Sequence, residues 1–183
     1  MDKKIRKCGG WTLIELAIAI AIFTVLSLAL TALYATGDAL MQISQNKLSL
    51  QQQARLSLDR VLKELRLANP GSVAINQNQN SITFQIPQSI DQNSGAITWA
   101  PAITYSVGGI NNAQLIRTQQ ASANIIMAND VNDNLQDANR LRFVPDQTPN
   151  PNLVTITMGL RRTTLKGHVA VTTLTGEAKL RNP

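Results

Sequence analysis

Gly9-Gly10-Trp11-Thr12-Leu13-Ile14-Glu15-Leu16 is the stretch on which the fold turns. It sets a single carboxylate at the mouth of an apolar run, because residues 16–37 hold no charged residue and no proline. At about 1.5 Å per residue, a helix of that length crosses a hydrocarbon core of roughly 30 Å. Lys3, Lys4, Arg6 and Lys7 precede the run against Asp2 alone, and basic charge of this kind stays on the cytoplasmic side of a membrane. The expected topology is a single pass, N-terminus inside and body outside. A secretory signal carries its small-residue cleavage site after the apolar region, whereas Gly9 and Gly10 come before it. A cut after Gly10 would remove the basic leader, keep the apolar helix, and place Glu15 close to a new amino terminus.

This arrangement resembles the type III signal of type IV pilins and type II secretion pseudopilins. The resemblance implies cleavage by prepilin peptidase between Gly10 and Trp11, with Trp11 as the N-methylated first residue. It also implies an assembly role for Glu15, which would pair with the N-terminal amine of a neighbouring subunit or its own. A carboxylate in an apolar segment is costly unless paired, which makes it a functional candidate. The plainer alternative is a signal anchor whose Glu15 snorkels at the interface. Trp11 stands where the family most often has phenylalanine. Ala32 stands where many major pilins carry a helix-kinking proline, which fits a pseudopilin or minor subunit better than a major pilin.

The 183 residues allow one modest domain beyond the membrane helix. The formal charge is +6, and subtracting the leader's net +3 leaves +3 from Trp11 onward. That balance is ordinary for a solvated domain, and no nucleic-acid partner is expected. Cys8, the one cysteine, lies in the leader, so the cleaved chain can form no disulfide.

Beyond Gly37 the chain changes character while remaining helical in pattern. Ala54, Leu58, Val61, Leu62, Leu65 and Ala68 form one apolar stripe on a 3.6-residue period. Gln52, Arg55, Asp59, Lys63 and Arg66 occupy much of the remaining surface, with Asp59 and Lys63 in the favourable i, i+4 order. Asn69-Pro70-Gly71 marks the stop. A helix unbroken from about residue 12 to 68 would extend on the order of 85 Å. The stripe on its outer half needs a cover.

The residues after Pro70 supply one. Ile82, Phe84 and Ile86 alternate with polar residues, as do Ile103, Tyr105 and Val107, then Val154, Ile156, Met158 and Leu160, then Val169 and Val171. Each series reads as a strand with one buried face. Gly108-Gly109-Ile110-Asn111-Asn112 predicts a hairpin loop before a strand at residues 113–118, and residues 76–80 and 146–152 predict exposed loops. The expected fold class is α+β, an antiparallel sheet packed on the outer half of a long N-terminal helix, and the pilin resemblance implies the same layout. The expected divisions are a leader at 1–10, a transmembrane helix at 11–37, its amphipathic continuation at 38–69, and a β-rich outer, periplasmic domain at 70–183.

Short matches spread over most of the chain look like the J-type pseudopilin and W-type minor pilin group. They are A-R-L-S-L-D-R-V-L-K-E-L-R at 54–66, I-T-Y at 103–105, Q-L-I-R at 114–117, L-R-F at 141–143 and R-N at 181–182. The resemblance implies a minor subunit in the bacterial inner membrane that enters a pilus or pseudopilus. Its partners would be companion minor subunits, the major pilin or pseudopilin, prepilin peptidase and the lipid bilayer.

Enzyme chemistry is poorly supplied. The single His168, between Gly167 and Val169 in a strand-like run, reads as a strand-edge or partly buried residue. With no cysteine after cleavage, His-based triads and Cys/His metal clusters lack their parts. Asp130, Asn132 and Asn134 mimic the start of a calcium loop, but Leu135 and Leu141 stand where glycine and the bidentate glutamate are needed. Asp133 and Asp137 then belong to a solvated turn or short helix. Arg161, Arg162 and Lys166 read as a solvated hairpin end. No catalytic residue, metal site or cofactor is expected. Two functional classes remain, a structural assembly subunit and a membrane-anchored module that captures secreted protein, DNA or a surface.

Overall fold

The structure, a computed structural model, describes residues 12–180 except 93, 121, 135, 139, 165 and 166. The chain divides into two units, Met1–Gln42 and Ile43–Pro183. One helix, α1 (Leu13–Leu65), begins in the first and ends in the second.

In the first unit α1 is apolar all round, with Leu16, Ile20, Phe23, Leu30 and Leu33 among its exposed residues. It is long and apolar enough to cross a membrane. Three of its threonine hydroxyls bond its own backbone. Thr24 donates to the Ile20 carbonyl, Thr31 to Ser27 at 2.7 Å and Thr36 to Ala32 at 2.9 Å. Hydroxyls bonded to the i−4 carbonyl are tolerated in lipid because no polar group is left bare. The helix continues through Ala32, as expected in the absence of proline.

The second unit starts from the stripe. Leu50, Ala54, Ser57, Leu58, Val61 and Leu65 are the buried residues of α1, and Leu62 packs half-buried against the same core. The helix ends three residues before the expected Ala68. Leu67 N and Ala68 N bond back to the carbonyls of Glu64 and Leu65 at 3.1 and 2.9 Å, tightening the last turn. Ala68 is nevertheless buried, at 1% exposure. The Asn69 side chain accepts from Gly71 N at 3.0 Å and caps a single 3-10 turn, Pro70–Ser72, instead of continuing α1.

Ten strands follow. They are β1 (Ala74–Ile75), β2 (Ser81–Phe84), β3 (Pro87–Ile90), β4 (Ile97–Trp99), β5 (Ile103–Gly108), β6 (Gln114–Gln119), β7 (Ile125–Asn129), β8 (Arg142–Pro145), β9 (Leu153–Thr163) and β10 (Val169–Lys179). They form a five-stranded sheet in the order β1-β2-β5-β6-β7, a three-stranded sheet β10-β9-β8 and the small hairpin β3-β4. Every pairing is antiparallel. The loop between β5 and β6 is the predicted one. Gly109 has φ of 71°, and a Cβ there would fall 1.9 Å from the Gln114 Oε1, so the turn demands glycine.

The two larger sheets are stitched together where β7 runs on. Val131 bridges Leu160, Asn132 N donates to the Gly159 carbonyl at 2.9 Å, and Arg161 N donates to the Asp130 carbonyl at 2.7 Å. β8 joins from the other side, its Phe143 N donating to the Gln79 carbonyl at 2.8 Å. The outer part of α1 lies against both sheets. Ser57 Oγ donates to the Met127 carbonyl of β7 at 2.6 Å, and Leu58 and Leu62 meet β10 at Gly176. The core thus gathers the helix stripe with Ile82, Phe84, Ile103, Tyr105, Phe143, Val154, Ile156, Met158 and Leu160. This is the α+β layout expected of the pattern.

Two expectations are corrected. Val169 and Val171 face outward, at 44% and 40% exposure, while Ala170 and Thr172 face in. The register decides this: Thr172 lies opposite Leu160 and Ala178 opposite Val154, both buried, so even-numbered residues of β10 share the core face. His168 is neither in a strand nor partly buried. It sits exposed in the turn before β10, with its N donating to Thr164 Oγ1 at 3.0 Å.

Candidate functional site: the mouth of the first helix

Gly10 and Trp11, the residues flanking the expected cut, lie outside the described residues, as do Lys166 and the R-N pair at 181–182. Glu15 lies within them. Its Oε2 is 3.4 Å from both Thr12 N and Thr12 Oγ1, and Thr12 Oγ1 accepts from Glu15 N at 3.3 Å. Thr12 is the N-cap of α1, its carbonyl accepting from Leu16 N at 3.2 Å. The T-L-I-E spacing is therefore a capping box, in which residues three apart satisfy each other's free backbone donors. A negative charge in this first turn also meets the positive end of the helix dipole. The carboxylate rests beside Thr12 N, one residue from the amine that a cut after Gly10 would expose.

The structure builds a second polar cluster that sequence reasoning missed. Glu64, near the end of α1, accepts from Tyr105 OH of β5 at 2.9 Å and from Arg117 Nε of β6 at 2.9 and 3.1 Å. Arg60 approaches Glu64 at 3.4 Å, and Arg117 Nη2 donates to Gln119 Oε1 at 3.1 Å. Burial, then the charge and hydrogen bond of Glu64, push the Tyr105 hydroxyl far above its ordinary range. Burial works against the Arg117 charge, and the bonds and charge of Glu64 more than offset it, raising its pKa. The Glu64 carboxylate, the Tyr105 hydroxyl and Arg117 Nε are engaged with one another. The cluster fastens helix to sheet and presents no reactive group. Its one sequence signal was a carboxylate next to the apolar stripe, between Val61 and Leu65.

The remaining candidates separate. Asp130 is held by Arg162, with Nη2 at 2.6 Å and Nε at 3.0 Å, and Asn132 Nδ2 donates to Asp137 at 2.6 Å. Asp133 accepts twice from Asn80 Nδ2, at 3.0 and 3.1 Å. Of the alternating oxygens of the calcium-like run, Asp130 Oδ2 thus accepts from Arg162, Asn132 Oδ1 from Asn134 N at 3.3 Å and Asn134 Oδ1 from Gln136 N at 3.1 Å. Arg161 and Arg162, neighbours on a strand, project to opposite sides, one exposed and one ion-paired.

Comparison with known families meets the chain at this helix. A model of the prokaryotic N-terminal methylation motif matches residues 5–31. The match spans Gly10, Trp11, Thr12 and Glu15 and ends within the apolar run. It supports a type IV pilin-like protein, a class that is structural, not catalytic, and the motif implies processing by prepilin peptidase and assembly with other pilins. Together with the apolar helix it supports a membrane-anchored protein of that class. No curated protein and no solved structure matches the chain.

Proposed function

We propose that this chain is a minor pilin or pseudopilin subunit, cut after Gly10, N-methylated at Trp11 and held in the inner membrane by residues 11–37. Residues 38–65 continue the helix, and the domain at 70–183 stands in the periplasm. Glu15 pairs with a terminal amine as the subunit joins companion minor subunits in a priming or tip complex, of J or W type, in a type II secretion pseudopilus or a type IV pilus. The observation that carries this reading is the match over residues 5–31, a segment that spans Gly10, Trp11, Glu15 and the start of the apolar helix.

The capping box supplies a test of Glu15 that separates charge from helix structure. Glutamine serves the box as well as glutamate does, but it cannot neutralise an amine in lipid. Glu15→Gln should therefore be cut normally and yet enter filaments as poorly as Glu15→Ala. The readout is cysteine crosslinking to companion subunits in a Cys8→Ser background, alongside filament function. Wild-type assembly of Glu15→Gln would leave the residue a capping group only. Mass spectrometry of the processed protein should find Trp11 first, and replacing Gly10 by a bulky residue should leave the leader attached. An intact Met1 on wild-type protein beside active prepilin peptidase would overturn the reading.

A further inference from the structure

Among the described residues, the hairpin of β9 and β10 leaves one long strand edge open. Thr164 N donates to the His168 carbonyl and Leu180 N to the Asn152 carbonyl, each at 2.8 Å, at the two ends of a ladder that runs without a shift of register. In an antiparallel pair the residues that exchange both bonds alternate. The even-numbered residues of β10 therefore bond β9. The N–H and C=O of Val169, Val171, Thr173, Thr175, Glu177 and Lys179 point the other way, and β10 is the end strand of its sheet.

Edges of this kind are ordinarily blunted by charge, proline or a bulge. Residues 169–175 have none of these. Beside this edge lies a cleft lined by Leu48, Gln51, Gln52 and Arg55 of α1 and by Leu174 of β10. The helix residues fall at i, i+3, i+4 and i+7, one face, and Leu48 is 59% exposed. Leu174 is flanked on its β9 side by the buried Met158, and β9 closes that side of it. The one charge on it is Arg55, which is exposed and meets no carboxylate among the described residues.

We propose that this edge and cleft take an extended segment of another polypeptide, which adds as a strand to β10, seats an apolar side chain between Leu48 and Leu174, and sets a carboxylate on Arg55. Strand addition supplies main-chain bonds, and pockets for alternate side chains supply selectivity. The cationic cleft selects an acidic segment over a basic one. The site uses neither Gly10 nor Glu15.

The probe is an eight-residue peptide alternating threonine and valine, with one valine replaced by glutamate, added to the full-length protein in detergent micelles. Amide hydrogen exchange reads the result. The peptide should slow exchange at Val171, Thr173 and Thr175 and leave Thr172 and Leu174, already bonded to β9, unchanged. A lysine counterpart should bind about threefold more weakly, as a solvent-exposed pair allows, and Arg55→Glu should reverse the order. A backbone N-methylated counterpart should not bind. Thr173→Pro should abolish binding, since its N–H lies on the open side where proline leaves the β9 ladder intact. If that variant fails to fold, the charge reversal at the exposed Arg55 decides alone. Absence of the odd-numbered protection, or indifference of the two peptides to Arg55→Glu, would overturn the proposal. Odd-numbered protection that grows with protein concentration in the absence of peptide would overturn it in favour of a second copy of this chain.

Discussion

A Cβ placed on Gly176 of β10 would fall 2.7 Å from the Cδ1 of Leu62 on α1, and 3.4 Å from Leu58 Cδ2. The helix approaches the hairpin this closely because the core face of β10 is built largely of small residues, Ala170, Thr172, Gly176 and Ala178, with Leu174 half-buried at its middle.

Substitution at Gly176 should therefore scale with size. Alanine gains roughly 0.5–1 kcal/mol from reduced chain freedom and loses a comparable amount moving the end of Leu62, so Gly176→Ala should be close to neutral. Valine cannot be absorbed so easily, and Gly176→Val should cost about 1–3 kcal/mol by overpacking. Adding Leu62→Ala should recover part of that loss. Denaturant unfolding of the two single variants and the double variant gives the coupling between helix and strand.

Thr172 is buried at 6% exposure with no partner for its Oγ1 among the described residues. A bare buried hydroxyl is costly, and valine has nearly the same shape. Thr172→Val should stabilise the second unit by about 1 kcal/mol, read as a rise in thermal midpoint. A fall in the midpoint would show that the hydroxyl has a partner.

Tyr105 gives the second unit an alkaline limit. Its ordinary pKa is 10.0 and its folded value lies far higher. Above pH 10 the unfolded chain releases this proton while the folded chain keeps it, so stability attributable to Tyr105 is fully present below pH 10 and declines as pH rises. Tyr105→Phe should remove that part of the alkaline decline, at a cost near neutral pH of about 1 kcal/mol for the lost hydrogen bond to Glu64. Unfolding midpoints of both proteins across the alkaline range check the crossing.

The helix stripe should be necessary for the second unit to fold. A fragment starting at residue 45 retains Leu50, Leu58, Val61 and Leu65, all buried, and should unfold cooperatively in water. One starting at Gly71 loses those four side chains, on the order of 10 kcal/mol of burial and comparable with the whole stability of a domain. It should aggregate or remain unfolded. Equal thermal midpoints for the two fragments would show that the sheets form their core without α1.

Much of this architecture was legible residue by residue. The membrane run needs only length and composition, and T-L-I-E needs only spacing. The stripe from Ala54 to Leu65 and the series Val154, Ile156, Met158 and Leu160 repeat with the period of their own element, so each announces its buried face alone. Leu50 lies on the same face, four residues before Ala54, but the outward-facing Leu48 beside it blurs the pattern there, and the β3–β4 hairpin escaped because its strand residues are only partly buried or exposed.

Other features were set by relations between distant residues. On β10 hydrophobicity favours Val169 and Val171 for the core, yet the register with β9 and the closeness of α1 put Ala170 and Thr172 there. Size and the position of a neighbour outweighed polarity, and neither is a property of the strand's own residues. Glu64 finds Tyr105 and Arg117 across separations of 41 and 53 residues, and no local period encodes such a meeting. A chain's local pattern says which face of an element turns inward when one face is clearly apolar. Where the faces are mixed, or charges meet across the core, only the packing of elements against one another chooses, because the energy there belongs to the pair and not to either residue.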